Sequence, residues 1–153
     1  MASPFDSFAR PRDPHERYLV EYQSIAIALF KEADGLTTSR ETLDLEEGGR
    51  DELLAVSGPY SKGTFTLREG ESEDLELYRW YEKCRDADHL ASSRRSGAVI
   101  LVDGAGHERM RWKFRAGVIT GWEGPLEPPR PGKAYAVETL EVTHEGLEPV
   151  ARM

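Results

Sequence analysis

Cysteine is almost missing from this sequence: Cys84 is the single one among 153 residues. One thiol can make neither an internal disulfide nor a thiolate metal cluster, and its rarity fits folding in a reducing cytoplasm. Long apolar runs are missing too. The longest, residues 25–30, falls far short of the roughly 20 residues a membrane helix needs, so no membrane anchoring is expected. The opening MASPFDSFARPRDPHER lacks the basic-then-apolar order of a secretory signal. Action outside the cell would then require another carrier. Positive charge is in deficit, with 20 Lys and Arg against 28 Asp and Glu and a net charge of −8. That balance argues against a sequence-specific nucleic-acid binder and against a coat on anionic membrane.

Catalytic and metal constellations are scarce as well. His15, His89, His107 and His144 are scattered, without HxxxH or HExxH spacing and without a thiol partner. His144-Glu145 is an acid/base pair on paper, but no nucleophile stands beside it. The glycine-rich GAGH at 104–107 joins two expected strands and opens no helix. It therefore reads as a turn, not a phosphate cradle. Trp80, Trp112 and Trp122 are too dispersed for a base-stacking platform. No enzyme, metal or cofactor is expected.

What is present is a soluble composition, 39% hydrophobic and 31% charged, in a chain long enough for one core. Residues 1–15, with Pro4, Pro11 and Pro14, read as a flexible N-terminal arm. Residues 16–153 read as a single β-rich domain. Tyr18, Val20 and Tyr22 share one strand face, and then the phase flips so that Ile25, Ile27 and Leu29 share one. A tight hairpin turn at Gln23-Ser24 explains the flip. Leu43 and Leu45 mark a half-buried strand, and Gly48-Gly49 opens a loop to Lys62. A further strand at 63–68 buries Phe65 and Leu67.

One helix is expected, over 72–86, with Ser72 as N-cap, acids in its first turn and Lys83 and Arg85 in its last. Its wide stripe (Leu77, Tyr78, Trp80, Tyr81, Cys84) must lie on something. Residues 98–102, apolar on both faces, are the expected seat. Next comes an alternating strand with Met110, Trp112 and Phe114 inward and Arg109, Arg111, Lys113 and Arg115 outward. A separate strand is expected over 118–122, a proline-rich loop over 125–131, and a last strand over 134–144. The sum is an antiparallel barrel or sandwich of about seven strands with one helix packed on it. Inward residues such as Leu43, Leu45, Phe65, Leu67, Ile100, Met110, Trp112 and Phe114 are bulky enough to fill such a barrel.

Two charge features remain. Residues 41–52 carry six acids (Glu41, Asp44, Glu46, Glu47, Asp51, Glu52) against Arg50, and the 109–115 strand carries four cations on one face. They are either ordinary solvated faces or complementary interface patches. The candidate interface residues are Glu46, Glu47, Asp51 and Glu52 with Arg109, Arg111, Lys113 and Arg115.

Several stretches in register carry a resemblance. The run RMRWKFRAGVITGWEGP at 109–125, followed by AVETLEVTHEGLEPV at 136–150, resembles the end of the tail tube proteins of contractile phages and of extracellular contractile injection systems. The matching features are Trp112-x-Phe114, the Glu123-Gly-Pro125 turn, and the final ETLEVTHEGL. RYLVEYQSIAIALFKEADGL at 17–36 is similar to the family's opening hairpin. LEEGG at 45–49, GTFTLREG at 63–70 and the helix with Trp80 follow in the family's order. The likeness spans about 16–150. The sequence departs at Gln23-Ser24, at DELLAVSGPYSKG, at Gly117-Val118, and in the loop PLEPPRPGK.

The resemblance implies a subunit that forms hexameric rings, stacked into a hollow inner tube inside a contractile sheath. Its implied partners are itself, the sheath protein, baseplate, hub and cap proteins, and cargo in the lumen. It implies assembly in the cytoplasm, and a place in a tail or injection particle outside the cell or in the target envelope after firing. An initiator or adaptor ring at the baseplate is the near alternative. A monomeric ligand-binding β-barrel is the alternative of another class.

Overall fold

A computed structural model describes residues 15–36, 62–86 and 93–151. In chain order these form β1 (Arg17–Tyr22), β2 (Ile25–Asp34), β3 (Gly63–Ser72), α1 (Leu75–Arg85), β4 (Arg95–Val102), β5 (Glu108–Glu123), β6 (Tyr135–His144) and β7 (Gly146–Ala151). All pairings are antiparallel. The order β4-β1-β2-β3-β6-β5 closes on itself through β4–β5, and β7 adds to β5. The result is a six-stranded closed barrel with one extra strand. The expected arm, the strand at 43–45 and the loop from Gly48 lie outside the described residues.

The first hairpin turns where the phase flip placed it. Gln23 and Ser24 both have positive φ (52° and 64°), which gives the mirror-image turn whose twist suits a two-residue hairpin. The expected face of β2 needs correction. Val20 pairs with Ala28 but Glu21 pairs with Ala26, so Ile27 is an extra, bulged residue. The bulge turns both Ile27 and Ala28 inward and leaves Ile25 and Leu29 exposed.

β3 runs four residues past its expected end and closes on Ser72. At Gly70 the Phe30 ring packs directly on the backbone, where any Cβ would overlap it. Ser72 is not the helix cap. Its hydroxyl donates to Ile27 O and accepts from the Asp74 N–H, so it belongs to the strand. Asp74 caps α1, its carboxylate accepting from Glu76 N–H at 2.7 Å.

β5 is one strand of 16 residues where two were expected. Ala116, at φ 51°, bends it without ending it. Its first half pairs with β4 and β7, and its second half with β6. β7 lies beyond the expected last strand. It continues β6 along the same side of β5, and Glu145 N–H bonds Arg115 O at 2.9 Å across the joint. Pro149 sits on this outer strand, where a missing N–H is tolerated.

The core is continuous. Phe30, Leu67, Leu101, Met110, Trp112, Leu140 and α1's Leu77 and Trp80 are all 0–1% exposed within one cluster. α1 fills the barrel's side against β5 and β2, a second correction, since residues 98–102 were its expected seat. The Trp80 ring stacks on Phe114 of β5 at 6.0 Å, and its N–H bonds Ser93 O at 2.8 Å. β4 is apolar on both faces for another reason. Val99 and Leu101 face the core, so Ile100, expected inward, lies on the opposite face with Ala98. That face is spanned by ion pairs running from β1 to β5.

Candidate assembly surface

Those ion pairs use half of the cationic strand. Arg109 of β5 meets Glu16 at 3.0 Å, and the Glu16 side chain is wholly buried. Arg111 reaches across β4 to Glu21 at 2.9 Å. It also grips Glu108 with two nitrogens at 2.9 and 3.0 Å. The hydrogen bonds to Glu108, with those to Glu21 behind them, hold the Arg111 guanidinium well above its already high ordinary pKa. Arg109 and Arg111 therefore tie β1 to β5 inside one subunit. Lys113 and Arg115 are exposed, with Lys113 opposite Glu148 of β7. The proposed counterparts Glu46, Glu47, Asp51 and Glu52 lie outside the described residues.

His144 and Glu145 do not form a dyad. His144 is buried, with its ring stacked on Phe65 at 5.8 Å, while the Glu145 carboxylate pairs with Arg94 at 3.3 Å. Burial pushes the imidazole pKa below its ordinary 6.5. The GAGH segment is a hairpin loop closed by Asp103, whose carboxylate accepts the Ala105 and His107 N–H groups at 2.9 and 2.8 Å. The His107 N–H bond, more than any other, holds Asp103 below the usual carboxylate range. Cys84 is half-buried, accepting from Ile119 N–H and donating to Ser93 O. Desolvation raises its pKa. Among the described residues no group of His, Cys, Asp and Glu is arranged to hold a metal.

Two surface features went unread in the sequence. One is a hydroxyl ladder outside the barrel: Thr64 and Thr143 at 3.1 Å, Thr143 and Thr120 at 3.0 Å, and Thr120 to Glu141 at 2.8 Å. Alternation within β3, β5 and β6 places these residues outward, but register is needed to bring them together. The other is a groove of roughly 490 Å³ at the start of β2. Leu19, Ala26 and Leu29 line it with Glu71, Glu73 and Asp74.

A closed, filled barrel with paired charges outside it is the build of a packing unit. The model of the family described as T4-like virus tail tube protein gp19 matches residues 14–148, which takes in most of the barrel. The chain belongs to that family, and its role is that of a tube subunit. The fold agrees with a solved structure described as the sheath–tube complex of the PVC extracellular contractile injection system in its extended state. A chain of that complex aligns with TM-score 0.50 and 13% identity, covering 99% of this chain and 100% of that one. The comparison with curated protein sequences finds no significant match.

Proposed function

We propose that the chain assembles as hexameric rings stacked into the hollow inner tube of a phage-like tail or contractile injection particle. A sheath surrounds the tube, and sheath contraction drives it and its cargo through a target envelope. The family match across nearly the whole barrel carries this reading. The interior supports it, since Trp112, Met110, Leu101 and Trp80 are 0–1% exposed and fill the space a ligand would need. The chain thus works by assembly, not by catalysis. Residues 1–15 act as an arm to a single domain over 16–153. Assembly takes place in the cytoplasm before the finished particle acts outside it, with baseplate, hub and cap proteins at the tube's ends.

The acidic stretch with Glu46, Glu47, Asp51 and Glu52 supplies one side of a contact between copies, and Lys113 and Arg115 supply the other. Electron microscopy of the purified protein tests the main reading. Six-fold rings and stacked tubes are expected. A protein that stays monomeric at high concentration would overturn it.

A further inference from the structure

Three large apolar side chains are exposed among the described residues: Ile25 (59%), Leu29 (39%) and Leu126 (69%). Two of them make a plug and a socket. The socket is the β2 groove, and it exists because β2 outruns one of its neighbours. β1 pairs with β2 back to Ile25, whereas β3 reaches only to Leu29, opposite Glu71. Past that point the chain turns through Ser72 and Asp74 into α1. The outcome is an apolar floor of Leu19, Ala26 and Leu29 beside three acids, Glu71, Glu73 and Asp74.

The plug is the loop 124–134, which joins β5 to β6. Pro125, Pro128, Pro129 and Pro131 restrict its backbone. Trp122 Nε1 donates to Pro125 O at 2.9 Å, and Tyr78 Oη donates to Leu126 O at 3.4 Å. Lys133 N–H closes a turn onto Arg130 O at 3.1 Å, with Gly132 at φ 77°. A loop held at both ends loses little freedom on docking. It presents Leu126 outward and carries Arg130 and Lys133 against the single acid Glu127. Its charge therefore complements the groove.

Within one chain the two do not meet, since Leu126 is 69% exposed and is not among the residues lining the groove. Yet both features lie at the same end of the barrel. Leu29 faces Glu71 near the end of β3, and Ser72, the last residue of β3, pairs with Tyr135, where the loop enters β6. Unlike surfaces that meet between copies at one height repeat by rotation with little rise. That is the condition for a closed ring instead of an open filament.

We infer that loop 124–134 of one subunit docks in the β2 groove of the next, with Leu126 on the floor and Arg130 and Lys133 toward its acidic wall. This rests on the ring-forming reading above. The test uses the full chain with Cys84→Ala, in one batch carrying Leu29→Cys and in another Leu126→Cys. After mixing and mild oxidation, a disulfide-linked dimer containing one chain of each kind is expected. The double-cysteine chain should give a ladder of covalent oligomers. In parallel, Leu126→Asp should lose rings while its circular dichroism and melting stay those of the parent. Glu73→Lys should weaken rings, and adding Arg130→Glu should restore them in part. Rings in the parent without the mixed disulfide would overturn the docking alone. A parent that forms no rings by electron microscopy would overturn the ring reading and the docking together.

Discussion

Ser24 occupies backbone space that suits glycine. Its φ of 64° follows Gln23 at 52°, and left-handed geometry costs a side-chain-bearing residue roughly 1–2 kcal/mol. Ser24→Gly recovers part of that cost, less the entropy glycine loses on folding. A gain of about 0.5–1 kcal/mol in urea denaturation is expected, with an unchanged slope. His144 has the opposite relation to its surroundings. Its imidazole is buried without a partner at Nδ1, and its pKa is depressed by desolvation alone. The unfolded chain therefore binds a proton near pH 6.5 that the folded chain refuses. The stability due to the neutral ring is complete above pH 6.5 and is lost as pH falls through the folded value. His144→Phe should flatten the drop in melting temperature between pH 7.5 and pH 5.5 relative to the parent. An equal drop in both proteins would assign the acid limb to carboxylates.

α1 and β5 set the next scale. Trp80 is 1% exposed, stacks on Phe114 and bonds Ser93 O, while Tyr78 is 2% exposed and meets Tyr81 and Trp122 edge-on. Truncation of either to Ala should cost about 3 kcal/mol or more. Variants that melt like the parent would displace the helix from the core. The cations of β5 should separate by partner. Arg109→Ala removes a cation 3.0 Å from the buried Glu16 carboxylate, a loss of about 3 kcal/mol. Lys113→Ala, at an exposed position, should stay within about 0.5 kcal/mol. This contrast marks how far the sequence could be read. Strict alternation made Met110, Trp112 and Phe114 legible as core, and the flip at Gln23-Ser24 made the hairpin legible. Alternation is blind to bulges, so Ile27 carried Leu29 into the wrong face and Ala116 divided one strand into two. It is also blind to register, which decides that Arg111 reaches Glu21 across β4. The helix stripe showed that α1 packs on something but could not say which strand. For the assembly surface, exposure of Leu29 and Leu126 depends on where β3 stops and where Trp122 and Tyr78 hold the loop.

At the scale of the whole molecule, net charge and repetition work together. A subunit of charge −8 repels its copies at long range, so contacts in a ring must place unlike charges together locally. Arg109 and Arg111 are committed to Glu16, Glu21 and Glu108, so under the proposal above it is the exposed Lys113 and Arg115, the latter with an interaction inside its own subunit as well, that meet a neighbour's Glu46, Glu47, Asp51 and Glu52. One exposed pair contributes about 0–1 kcal/mol. The same pair repeated around a ring and along a tube selects partner and register more than it adds affinity. Tube length, read by electron microscopy, should therefore shorten as salt rises and the Debye length falls from about 10 Å at 0.1 M to about 3 Å at 1 M. Glu46→Lys with Glu47→Lys should block growth while the subunit's melting temperature stays near the parent's. Lys113→Glu with Arg115→Glu should restore growth in part when combined with that double variant. Reversal of Arg109 and Arg111 should instead unfold the barrel, since it breaks the ties from β1 to β5. Tubes of parental length from Glu46→Lys, Glu47→Lys would return these acids to the ordinary solvated surface.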